Sequence, residues 1–126
     1  MSKSVVPNSG RVVFIEEIGM SEYAKLGASV RVTGRVKSYD VASGIVFIED
    51  RERQLQVEVS SRLPSLFNVP IGSLAQFIGE LEVPKGGGGG GGLLLHARIC
   101  RNVDGLNLEL YRKSVDLLRN HIGQPL

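Results

Sequence analysis

Few residues in this chain have side chains suited to chemistry. There are two histidines, His96 and His121, and one cysteine, Cys100. A zinc centre draws on three or four Cys, His or carboxylate ligands at short local spacings. No such spacing occurs here, so neither a metal nor a cofactor is expected. A lone cysteine allows no internal disulfide and fits a reducing compartment. The seven consecutive glycines at residues 86–92 suggest a phosphate-binding loop. Such a loop needs a Lys-Ser/Thr pair directly after its glycines and then a helix. Leu93, Leu94, Leu95 and His96 follow instead. No nucleophile pairs with a base, and the carboxylates read as surface charges. The chain is expected to be non-catalytic.

A second chemistry open to these residues is contact with single-stranded nucleic acid, which uses a cationic groove and stacking rings. Arg31, Arg35 and Lys37 alternate along one stretch, with Tyr39 and Phe47 as candidate rings. The net charge of +2 is too small to demand a polyanionic ligand. Glu49 and Glu58 share the same face, and the glycine run offers neither cation nor ring. Weak or assisted binding is therefore expected of Arg35, Lys37, Tyr39 and Phe47. Phe47 equally suits packing beneath the N-terminal segment or a partner.

The elements that would carry these residues follow from period-two alternation. Over residues 29–40, Val30, Val32 and Val36 fall on one face and Arg31, Thr33, Arg35 and Lys37 on the other, with Gly34 marking a bend. Residues 44–59 read as a hairpin turning at Asp50 to Arg53. Val46, Ile48, Leu55, Val57 and Val59 point inward there, and Ile45, Phe47, Gln56 and Glu58 outward. An irregular stretch, residues 60–72, leads to a second hairpin. Ala75, Phe77, Leu81 and Val83 face inward on its first strand, and Leu93, Leu95, Ala97 and Ile99 on its second. Residues 86–92 then form the tip. Pairing Lys85 with Leu93 sets Glu82 opposite His96 and Glu80 opposite Arg98, a favourable charge pattern. It also puts Cys100 on the outer face, as an inert thiol. Residues 11–18 supply an extra strand leading in. Five antiparallel strands with a break after the third predict an OB-fold, a partly open Greek-key barrel. An SH3-like barrel is the competing architecture.

After Asp104 the spacing becomes helical. Asp104 or Asn107 is the N-cap. Leu108, Tyr111, Val115, Leu118 and Ile122 recur at i, i+3, i+4, a stripe suited to covering the barrel. Leu110 and Leu117 lie almost opposite, with Glu109, Lys113, Asp116 and Asn120 between. A second apolar stripe on a terminal helix implies a protein partner, although scattered surface leucines are also common. His121 is expected to be exposed or at that interface.

The segment after Gly92 is shorter than the ~40 residues that fold alone without staples, so the glycines do not divide two domains. With 42% hydrophobic residues there is ample core. No apolar run approaches the roughly 20 residues of a membrane span, and the first ten residues lack a signal-peptide pattern. The expected organisation is a flexible N-terminus at 1–10 and one domain at 11–122. Its barrel spans 27–104 and its C-terminal helix 105–122, in a soluble intracellular protein.

Three ordered blocks carry a family resemblance: GASVRVTGRVKSYD from Gly27, VPIGSLAQFIGELEV from Val69, and ARICRNVDGLNLELYRKSV from Ala97. Together they resemble the Ten subunit, the smallest OB-fold subunit of the telomeric CST complex, in its plant-like branch. The resemblance runs from about Gly27 to Leu118, most of the chain. It implies a nuclear, telomere-bound protein that pairs with an Stn-like OB-fold subunit beside a large CST subunit. Single-stranded telomeric DNA would be held through the complex, supporting end protection and fill-in by polymerase alpha–primase. It also implies partner contacts from the barrel and helix, where Arg31 matches a family arginine. Leu110, Tyr111, Leu117, Leu118 and His121 complete the expected partner-binding set. The smallest subunit of a replication protein A-like complex shares this fold and pairing mode. An autonomous single-strand-binding module is the alternative of a different class.

Overall fold

The computed structural model describes residues 10–59, 69–84 and 92–122. Its strands are β1 (Arg11–Val12), β2 (Ser29–Asp40), β3 (Ile45–Asp50), β4 (Arg53–Val59), β5 (Leu74–Glu82) and β6 (Leu94–Asn102), followed by helix α1 (Leu108–Ile122). A single 3-10 turn, Ile15–Glu17, separates β1 from β2. The sheet order is β1-β2-β3-β4-β6-β5, and a further β2–β5 pairing closes the last five strands into a barrel. β4 and β6 run parallel and the other barrel pairs antiparallel. This is the predicted OB-type barrel with a C-terminal helix.

Closure depends on β2, which serves two neighbours. Ser29–Arg35 pairs with β5, and Arg35–Asp40 with β3. The changeover falls beside Gly34, where an added Cβ would lie 3.2 Å from the Ile48 side chain. The close approach at this point suits a residue with no side chain, whereas the irregularity of the strand comes three residues later, at Lys37. Val30, Val32, Val36, Val46, Ile48, Leu55, Val57 and Val59 all lie in the core, so the inward set of the first three barrel strands is as predicted. The turn between β3 and β4 holds two residues, Arg51 and Glu52, both at positive φ. Its register pairs Ile48 with Leu55 and Val46 with Val57.

The second hairpin differs from expectation. Glu80 pairs with His96, and Glu82 with Leu94. The register is therefore displaced by two residues, an even shift that leaves the alternation unchanged and so cannot be seen in it. A bulge then interrupts the pairing: Gly79 opposes Ala97 while Ile78 opposes Ile99, leaving Arg98 extra. Beyond the bulge the parity inverts, which turns Cys100 into the core and leaves Ile99 half-buried. Val83, predicted inward, lies past the strand end and is exposed. The glycine tip falls outside the described residues except for Gly92, as do residues 1–9 and 60–68.

Candidate interaction face

Helix α1 is capped by Asn107, whose Oδ1 accepts the Leu110 N–H at 3.0 Å. Asp104 instead ties the approach to the barrel. Its carboxylate accepts the Leu74 N–H at 3.1 Å and the Ser73 hydroxyl at 3.3 Å. The helix then lies against the barrel and the N-terminal segment through an arrangement that apolar periodicity did not reveal. Val115 is buried, and two arginines flank it. Arg112 Nη1 donates to Asp50 Oδ2 at 2.8 Å, and its other arm meets Glu16. The Arg112 guanidinium also sits 4.0 Å above the Phe14 ring. About two turns later, Arg119 donates to Glu17 at 2.8 Å and to the Val12 carbonyl at 2.6 Å.

Burial works to raise the Glu16 carboxyl, but the hydrogen bond and attraction from Arg112 prevail and hold it below the usual carboxylate range. Burial likewise opposes charge on Arg112, while Glu16 and Asp50 hold its proton more firmly than usual. Neither Arg112 nor Asp50 was singled out from sequence. The signal was there: Arg112 sits at i+4 from Leu108 and i−3 from Val115, a charge set inside an apolar stripe. Asp50 continues the inward parity of Val46 and Ile48.

With arginines occupying the packed side, Leu118 turns outward. It was expected to help cover the barrel, yet it is 47% exposed. Leu110 is 60% exposed and Leu117 68%. At 3.6 residues per turn, Leu110, Ser114, Leu117, Leu118 and His121 fall within an arc of roughly 100°. The spacing 110, 114, 117, 121 is that of a heptad seam. His121 is exposed, whereas Tyr111 is half-buried with its hydroxyl enclosed and no partner for it among the described residues. Arg31 is half-buried on β2, away from this helix seam in sequence.

The expected nucleic-acid residues do not form a free cationic row. Arg35 Nη1 donates to the Gly72 carbonyl at 2.7 Å, and Lys37 pairs with Glu49 at 3.2 Å. Lys37 is itself the extra residue of a bulge between Val36 and Ser38. The resulting parity change sets Tyr39 opposite Val46 and against the core, so it is not the outward ring predicted. Phe47 stays on the outer face between Ser38 and Gln56, half-buried.

Barrel order, the parallel β4–β6 pair and the terminal helix define the class: an OB-fold barrel with a C-terminal helix that presents an apolar outer strip. Residues 6–125 match the family described as telomere-capping CST complex subunits. The CST complex subunit TEN1 of Arabidopsis thaliana is 36% identical over 124 residues, covering 98% of this chain and 94% of that protein. The telomere capping protein Ten1 from Saccharomyces pombe superposes with a TM-score of 0.71 at 23% identity, over 89% of this chain and 99% of that one. A chain of the S. pombe Stn1–Ten1 complex gives 0.70 at 23% identity, over 90% and 94%. The chain belongs to the Ten1 family of telomere-capping CST complex subunits.

Proposed function

We propose that this chain is the non-catalytic small subunit of a CST complex and pairs with an Stn-like OB-fold subunit through α1 and the adjoining barrel surface. The observation carrying the reading is the strip of Leu110, Leu117, Leu118 and His121, exposed on a helix whose other side is already anchored by Arg112 and Arg119. Tyr111, beside Leu110 on α1, and Arg31, on the barrel strand β2, complete the proposed contact set. The family assignment supplies the partner's identity: an Stn-like subunit, with the large CST subunit completing the assembly. The protein acts at telomeres in the nucleus. It supports single-stranded DNA binding, end protection and fill-in by polymerase alpha–primase. Contact with DNA comes mainly from the assembly, because Arg35 and Lys37 are already engaged within the chain.

Covering a fully exposed leucine yields about 1.5–3 kcal/mol. At their 60% and 68% exposure, Leu110 and Leu117 together supply about 2–4 kcal/mol of the association. Leu110→Glu with Leu117→Glu is therefore expected to weaken pairing by roughly 30- to 1,000-fold and to abolish co-purification with the Stn-like subunit. Circular dichroism of the free double variant should match that of the parent. Unchanged association by a folded variant would refute this use of the strip. Titration of the isolated chain with telomeric oligonucleotide at physiological salt should show only weak binding. Tight stoichiometric binding there would favour an autonomous single-strand module.

A further inference from the structure

We propose that Glu58, Glu82 and His96 form a binding site for one divalent transition-metal ion of the zinc class on the outer wall of the barrel. The three residues stand on the adjacent strands β4, β5 and β6, and their ligand atoms all lie within 4.8 Å of one another. Strand register places them there. Glu58 directly opposes His96 across the parallel β4–β6 pair, and Glu82 opposes Leu94, two residues along the same strand. The spacing along the chain gave no hint of this, because each ligand comes from a different strand.

The geometry is close to what a tetrahedral ion needs. Metal–ligand bonds of 2.0–2.2 Å put neighbouring ligand atoms about 3.4 Å apart. His96 Nδ1 and Glu58 Oε1 are already 3.1 Å apart. Glu82 is exposed, and rotation of its side chain closes the third side. The charge also favours a cation. Nearby Glu80 is neutralised by Arg98 at 2.6 Å, while Glu82 has no ion-pair partner among the described residues. Two carboxylates thus face one imidazole. A nitrogen ligand beside oxygen ligands selects the zinc class over calcium or magnesium, which take oxygen alone. The ion would take the place of the proton now joining Glu58 to His96, clamp three strands together beside the β5–β6 connection, and leave a fourth position to water.

The test is isothermal titration of the chelator-treated full chain with zinc chloride, alongside thermal unfolding with and without zinc. One equivalent should bind saturably and raise the unfolding temperature. Glu82→Gln, at an exposed position that does not endanger folding, should weaken binding at least about tenfold. His96→Gln should abolish it, and His121→Asn should leave it unchanged. No saturable binding by the parent chain, equal affinity in Glu82→Gln, or loss of binding in His121→Asn would each overturn the assignment.

Discussion

Replacing Arg112 by Met tests how α1 is held on the barrel. The substitution keeps most of the side-chain bulk and removes the charge. Arg112 is 5% exposed and Asp50 7%, so the change strands a carboxylate out of reach of water. Removing one partner of a buried ion pair costs about 3–5 kcal/mol. The Glu16 arm adds little, because the Glu16 side chain is 32% exposed and water screens it. Loss of the guanidinium over Phe14 adds about 0.5–1 kcal/mol. Against a typical stability of about 5–15 kcal/mol, the variant forfeits a large share. Urea unfolding followed by far-ultraviolet circular dichroism measures this directly as a lower midpoint at unchanged slope. Adding Asp50→Asn to Arg112→Met removes the stranded charge and should restore at least about 1 kcal/mol, a coupling that independent sites do not show. A cost below about 1 kcal/mol for Arg112→Met, or a double variant no more stable than the single, would refute the reasoning.

Three other outcomes are expected. Gly79→Ala should cost more than the ~1–3 kcal/mol of ordinary overpacking, because its Cβ would lie 1.9 Å from the His96 carbonyl oxygen, a backbone atom that cannot step aside; a melting temperature near that of the parent would contradict the bulge. Burial pushes the Cys100 thiol up to about 11, so alkylation by iodoacetamide at pH 8 should run at least ~100-fold slower in the folded chain than after denaturation. Glu16 titrates below its ordinary range, so its contribution to stability is present above about pH 4.3 and fades as the pH falls through the depressed value; Glu16→Gln should flatten that part of the urea-midpoint profile.

The barrel was legible because its inner residues alternate: the valines of β2 and the hairpin of β3 and β4 needed no more than parity. The helix was legible in extent, and Asn107 was one of two caps considered. Two bulges were not legible. Extra residues at Lys37 and Arg98 invert parity partway along a strand, and that is why Tyr39 and Cys100 were assigned to the wrong face. Alternation fixes which face a residue takes but not the even part of a register, so His96 was matched to Glu82 where Glu80 stands opposite it on β5. Arg112 and Arg119 were passed over because an apolar count treats an arginine as surface, although its stem packs and its fork finds buried carboxylates.

The double pairing of β2 has an outcome for assembly. The ring shuts because β2 gives its first half to β5 and its second to β3, but β4 and β6 meet over only three residues, Val57–Val59 with Leu95–Ala97, so among the described residues Arg53–Gln56 and Arg98–Asn102 have no strand on that side. Recruitment by strand addition, a common way for β-proteins to capture an extended peptide or to polymerise, is therefore confined to that short gap and to the two residues of β1. Elsewhere on the wall companions come side-on, meeting side chains and not backbone, so partner choice there rests with a handful of positions that selection can alter one at a time.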